Sequence, residues 1–199
     1  MVRSTRAVIA RLQSWRKVSS DQKLLNSARG TNFCLICLIW INMSTECNRI
    51  ADQLASTIDG EAWYGDSLRQ ILKDVTMEQA QAHPIPDAHS IWELLSHVES
   101  WVKFALGAVD GAPIPPWPAM PVELDWPAVT DASDPAWKQA VDSFFLHHSK
   151  LVERIKAFTD ERLEATVPGR TYNFYRLFQS TTQHAVYHAG QIALLKKMS

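Results

Sequence analysis

Cysteine and glycine are scarce in this chain of 199 residues, and both scarcities exclude classes of protein. None of the three cysteines follows Cys47, so the main body lacks the disulfide framework of small secreted domains. Cys34 and Cys37 share a short apolar run without a second pair, and we interpret them as incidental. This cysteine usage fits a reducing cytoplasm, where we expect the protein to reside. Seven glycines beside eight tryptophans favour helices over a turn-rich β fold.

Positive charge is also sparse in most of the chain. Residues 43–199 carry thirteen Lys and Arg against twenty Asp and Glu, and no basic stripe. This balance argues against nucleic acid as a partner. The apolar run at residues 33–41 is too short to cross a bilayer, which needs about 20 residues. For residues 43–199 we expect no membrane association.

Residues 1–42 differ in composition from the rest. They carry seven Lys and Arg against one Asp, and Met43 then opens a segment of ordinary globular composition. We interpret residues 1–42 as a basic extension that is disordered or that results from a start codon assigned too far upstream. A targeting or membrane-surface arm is the alternative. Residues 43–199 are long enough for one domain with a full core.

Apolar periodicity predicts four long helices, at about residues 45–59, 90–109, 134–158 and 174–195. Six of the ten prolines lie in residues 110–133, which form a long crossover between the second and third helices. The sequence therefore predicts an all-α four-helix bundle. A crossover of this length indicates that the second and third helices are not simple sequential neighbours.

Histidines occupy positions on three of these helices where apolar residues are expected. His184 and His188 lie one turn apart on the fourth helix, His97 lies in the apolar arc of the second, and His148 lies on the third. A buried polar group is costly without a partner, and one metal ion could satisfy several imidazoles. Hydrogen-bonded core histidines are the alternative. Ala185 follows His184 where zincin metalloproteases have a glutamate, which excludes that class.

Two segments resemble the metal-binding helices of the DinB-like (DinB/YfiT) superfamily: residues 89–101 (HSIWELLSHVESW) and residues 183–196 (QHAVYHAGQIALLK). Residues 62–68 (AWYGDSL) resemble the connector between the first helices of that superfamily, and the likeness extends over residues 45–198. The resemblance implies a four-helix bundle with a long crossover. It also implies a divalent metal, with zinc or nickel favoured, whose ligands are His97, His184 and His188.

The same resemblance suggests a function. Characterised relatives include S-transferases that use low-molecular-weight thiols and a thiol-dependent isomerase. This implies a metal-dependent thiol S-transferase, or a related hydrolase-like enzyme, that acts on a small electrophilic molecule. The alternatives are a non-catalytic bundle with a structural metal, and a stress-related dimeric bundle whose histidines bind nothing tightly. Whether the protein forms a homodimer is open.

Further residues are candidates for supporting roles around this site. Glu93 lies one turn before His97 and could accept a proton from its far nitrogen, and a plain surface carboxylate is the alternative. Gln191 could orient a ligand or bind substrate, and His148 could be a fourth ligand or support the others. An apolar wall for the substrate would come from Trp101, Trp117 and Trp126. The sequence identifies neither a general base nor a cysteine nucleophile.

Overall fold

The computed structural model describes residues 45–116 and 119–199. The expectations for residues 1–42, for the Cys34–Cys37 pair and for Trp117 lie outside the described residues and stay predictions. The described part contains seven α-helices, a 3₁₀ helix at Asp160–Glu164, and no β-strand. The α-helices are α1 (Glu46–Asp59), α2 (Leu68–Leu72), α3 (Met77–Gln81), α4 (Ile91–Val109), α5 (Val122–Asp125), α6 (Asp134–Lys156) and α7 (Phe174–Lys196). The predicted all-α class is confirmed.

Each long helix begins where a side chain caps its first turn. Thr45, Ser90, Ser133 and Asn173 accept backbone N–H groups at the starts of α1, α4, α6 and α7. Such caps satisfy N–H groups that have no partner inside the helix. None of the helices in the described ranges is both long and apolar enough to cross a membrane.

The four long helices pack around one apolar core. Both α1 and α4 pack against α6 and α7, so α6 and α7 each contact two long helices. The largest fully buried side chains come from all four: Ile50, Leu54, Ile91, Leu95, Phe144, Leu151, Ile155, Phe178 and Ile192. This packing places the histidine-bearing faces of α4 and α7 against each other.

The second and third long helices, α4 and α6, pack directly against each other, although they are not joined by a hairpin turn. Contacts advance together along both helices: Trp92 with Trp137, Glu99 with Ser143, and Asp110 with Arg154. The two helices therefore run parallel. A connection between parallel neighbours must return along the length of the helices, and this explains the long crossover.

Gly169 allows the α6–α7 connector to contact this crossover. Its φ is +75°, and a Cβ atom there would lie 2.6 Å from the carbonyl oxygen of Ile114. The Ile114 N–H also donates to the Pro168 carbonyl at 3.0 Å. We expect Gly169→Ala to lower the free energy of unfolding by roughly 2–4 kcal/mol, because a left-handed backbone and a backbone clash both oppose the new methyl group. Urea unfolding would measure the loss.

Gly111→Ala is the matched control. Gly111 also has a positive φ, +93°, but a Cβ atom there would meet nothing within 4 Å. It should therefore lose only the conformational part, about 1–2 kcal/mol. Equal losses in the two variants would show that the contact with Ile114 contributes nothing.

Candidate metal centre

Three histidines from two helices converge on one point. His97 of α4 and His184 of α7 place their Nε2 atoms 3.0 Å apart, and the Nε2 atoms of His184 and His188 are 2.9 Å apart. All three ligand atoms lie within 4.8 Å of one another. Zn–N bonds of about 2.0–2.1 Å in a tetrahedral site would hold such nitrogens roughly 3.3 Å apart. The three histidines are thus positioned to bind one metal ion.

The hydrogen bonds of the other ring nitrogens define which nitrogen carries the proton. His97 Nδ1 donates to the backbone carbonyl of Asp125 at 2.8 Å, and His188 Nδ1 contacts Gln191 Oε1 at 2.5 Å. These oxygens can only accept, so each Nδ1 carries the proton and each Nε2 presents a lone pair. One neutral His184 cannot satisfy both lone pairs, because its Nε2 carries one proton at most. A cation satisfies all three nitrogens, so the donor set fits a divalent metal.

The surroundings keep these rings uncharged. Burial lowers the pKa of His97 and of His188. Burial lowers the pKa of His184 to about 3, with further contributions from His188 and His97. Metal binding requires neutral imidazoles, since protons and metal compete for the same nitrogens. At neutral pH all three rings are therefore ready to bind a metal.

Asp125 and Trp126, which both lie within the crossover, hold the His97 ring in place. Asp125 Oδ1 lies 3.2 Å from His97 Nδ1 and accepts the indole N–H of Trp101 at 2.8 Å. The Trp126 ring stacks on the His97 ring at 3.8 Å with an interplanar angle of 7°. The role of Asp125 was not predicted, because the crossover has no periodicity that indicates where a side chain points.

The Glu93 carboxylate does not bond to the far nitrogen of the His97 ring. Its Oε2 accepts the Ser90 N–H at 2.8 Å and lies 3.1 Å from His83 Nε2. Glu93 therefore caps α4 and pairs with His83, whereas the far nitrogen of His97 bonds to Asp125. Gln191 contacts the His188 ring. This contact fits the suggestion that Gln191 orients a metal ligand.

His148 lies apart from the three converging histidines. It is fully buried, its Nδ1 donates to the Phe144 carbonyl at 2.8 Å, and its Nε2 has no hydrogen-bond partner. Burial lowers its pKa to about 4. Only His97, His184 and His188 form a possible ligand cluster in residues 45–116 and 119–199. The alternative in which His148 is the fourth ligand is therefore not supported by the geometry.

A cleft of about 970 Å³ opens beside the cluster. His97 and His184 line it, and His184 is the partly exposed member of the three. Trp101 and Trp126 line it as expected for an apolar wall, together with Asp125, Tyr172, Leu177, Ser180, Thr181, Gln183 and Tyr187. The cluster thus has protein on one side and a ligand-sized space on the other.

Comparison with known proteins agrees with this site. A family model described as the DinB superfamily matches residues 62–192, which is more than half of the chain and includes all three histidines. No curated protein matched the chain, and no solved structure did. The extent of the family match establishes that the chain belongs to the DinB superfamily.

Proposed function

We propose that the protein is an enzyme that holds a divalent metal ion on His97, His184 and His188 and joins a thiol to a small electrophilic molecule. One observation carries the proposal: three Nε2 atoms converge at the wall of a large cleft. Three protein ligands beside an open space are typical of catalytic zinc sites, whereas structural sites are closed by a fourth. Imidazole ligands suit zinc and nickel, which are our expected metals.

A metal held by these three neutral imidazoles would lower the pKa of a thiol or water, so that the group could lose its proton to solvent and act as a nucleophile at neutral pH. The chain itself orients the ligands: Asp125 fixes the His97 ring and Gln191 fixes the His188 ring. Such partners fix the tautomer and orientation of a ligand and raise its basicity. Trp101 and Trp126 line the cleft beside His97 and give it an apolar wall.

None of the described residues offers a reactive sulfur at the cleft. Cys47 is the cysteine of the described part, and it is buried on α1. Burial and the neighbouring Asp160 raise its pKa to about 12, so its thiol stays protonated. Cys47 also does not line the cleft. A low-molecular-weight thiol is therefore the nucleophile that we propose.

The main alternative is a bundle in which the metal has only a structural role. A closed site would need a fourth protein ligand, and the described residues supply a cluster of three. The geometry therefore favours an enzyme. Homodimer formation and a cytoplasmic location stay predictions.

The test is a metal-loaded activity screen. Protein purified without a histidine tag is stripped with a chelator, loaded with zinc or nickel, and assayed with several thiols against small electrophiles. We expect one ion per chain and thiol consumption that stops on chelation. His83→Ala is the matched control, because His83 is an exposed histidine outside the cluster. A loaded protein without turnover across the screen would refute the activity, and failure to bind metal would refute the site.

A further inference from the structure

We propose that the cleft binds an uncharged, flat aromatic molecule, so that the substrate of the proposed reaction belongs to this class. The inference rests on the proposed function for the reacting end of that molecule. The aromatic and uncharged character of the molecule is inferred from the residues that line the cleft.

The walls are aromatic and held in place. The Trp126 ring is stacked between His97 at 3.8 Å and His89 at 3.6 Å, so both of its faces are covered and its edge is left toward the cleft. The Trp101 indole is fixed by its hydrogen bond to Asp125. Walls that are fixed before binding lose little entropy on binding, and ring edges pair with the faces of other rings. This surface is complementary to a flat ring.

Tyr172, Leu177 and Tyr187 extend the apolar lining beyond the tryptophans. Ser180 and Gln183 are exposed on α7 and offer hydrogen-bonding groups without charge. Binding pockets with mainly apolar walls and a few polar groups span about 300–1,000 Å³. A cleft of about 970 Å³ therefore has room for an aromatic molecule together with a small thiol.

The charged groups in and near the cleft lining indicate whether its ligand is neutral or multiply charged. No Lys or Arg is among the described residues that line the cleft. The Asp125 carboxylate accepts from Trp101 and lies beside His97, so it is already engaged. Arg176 lies over the Tyr172 ring, 5.5 Å from its centroid, but does not line the cleft. A ligand with several carboxylates, sulfonates or ammonium groups would lose hydration here, and the lining residues offer no free partner for these charges, so that only one anionic group could be paired, by the metal.

The experiment compares two probes with the same ring system, 2-naphthol and naphthalene-2,6-disulfonate, by quenching of tryptophan fluorescence. It uses the full chain with chelator present, because a bound metal would itself attract the sulfonates. We expect 2-naphthol to bind at least about tenfold tighter than the disulfonate. Equal binding, or tighter binding of the disulfonate, would overturn the inference.

A charge variant locates the binding in the cleft. Ser180→Arg adds a cation to the lining, and Ser149→Arg adds the same cation to an exposed position of α6 outside it. We expect Ser180→Arg to tighten disulfonate binding at least about fivefold and Ser149→Arg to leave it unchanged. The same response in both variants would show that the probes bind elsewhere and would overturn the inference.

These outcomes are separable from failure of the proposed function. Probe binding is measured without metal and without turnover, so a protein that shows no thiol-dependent activity can still support the inference. Conversely, a protein that turns over thiols but binds both probes equally retains the proposed function and loses the aromatic ligand class.

Discussion

His184→Ala is expected to remove most of the stability that the protein gains from a divalent metal. A ligand that binds only the folded state, at about 1,000 times its dissociation constant, stabilises that state by about 4 kcal/mol. For a domain of this size, that gain raises the melting temperature by roughly 10 °C. Loss of one of three imidazoles should weaken binding by more than about 100-fold, so at the same metal concentration the gain falls to about 1 kcal/mol.

His184 is the ligand whose removal disturbs the fold least. It is partly exposed at the cleft, whereas His97 and His188 are buried. Without metal, its ring also has to face two lone pairs that one proton cannot satisfy. We therefore expect wild type and variant to melt within a few degrees of each other when a chelator is present.

The measurement is a melting curve for each protein with zinc and with chelator, and His83→Ala is the control. His83 is half-exposed and pairs with Glu93, so its loss should leave the gain from metal unchanged. If wild type melts at the same temperature with and without metal at neutral pH, the three histidines are ordinary core residues. The catalytic proposal would then be dropped.

Helix periodicity predicted core-facing positions for His97, His184 and His188, but it predicted the same for His148, and the family resemblance was needed to select the three. The spacing of His184 and His188 fixes them on one face by local geometry alone, and the apolar arc of α4 carries His97 inward. The packing of α4 against α7 then brings these faces together. The side chains that face the core could therefore be predicted wherever residues follow a helical period.

The crossover could not be interpreted in the same way. Its length excludes a hairpin between α4 and α6, but it does not show whether the two helices are in contact, and the structure has them as parallel neighbours. The positions of Asp125 and Trp126 against His97 depend on how this non-periodic segment folds back. Spacing alone suggested that Glu93 could bond to the far nitrogen of His97, but its carboxylate caps the first turn of α4 instead.

The apoprotein is expected to lose stability between about pH 6.5 and pH 4, and His148 should account for a measurable share of the loss. Burial lowers the pKa of His148 from 6.5 to about 4 in the folded state. Glu99 favours the charged ring and His147 opposes it, but burial outweighs both. At neutral pH the ring is uncharged in both states, so it contributes no pH dependence there.

The sign follows from which state binds the proton. As the pH falls below 6.5, the unfolded chain protonates His148 while the folded protein does not, so the unfolded state is favoured. Below about pH 4 both states are protonated and the loss levels off at about 3 kcal/mol. His97, His184 and His188 change stability in the same direction, since their pKa values are also lowered in the metal-free protein. A variant of His148 is needed to isolate its share.

His148→Leu and His148→Gln both remove the titrating group. The leucine variant also removes the Nε2 atom that has no hydrogen-bond partner, so we expect it to be as stable as wild type at neutral pH or slightly more stable. The glutamine variant keeps a polar group that can donate to the Phe144 carbonyl, which His148 Nδ1 does in the wild type. If both variants show the same pH dependence of stability, their difference from wild type comes from titration of His148 and not from a change in packing.

Urea unfolding with chelator present, at several values between about pH 7.5 and pH 5, measures the effect. Wild type should lose about 2 kcal/mol more than either variant over this range, because the unfolded chain takes up a proton at His148 and the folded chain does not. Parallel stability curves for wild type and both variants would contradict the prediction. They would mean that His148 takes up its proton in the folded core as readily as in water, and hence that its Nε2 has a partner there after all.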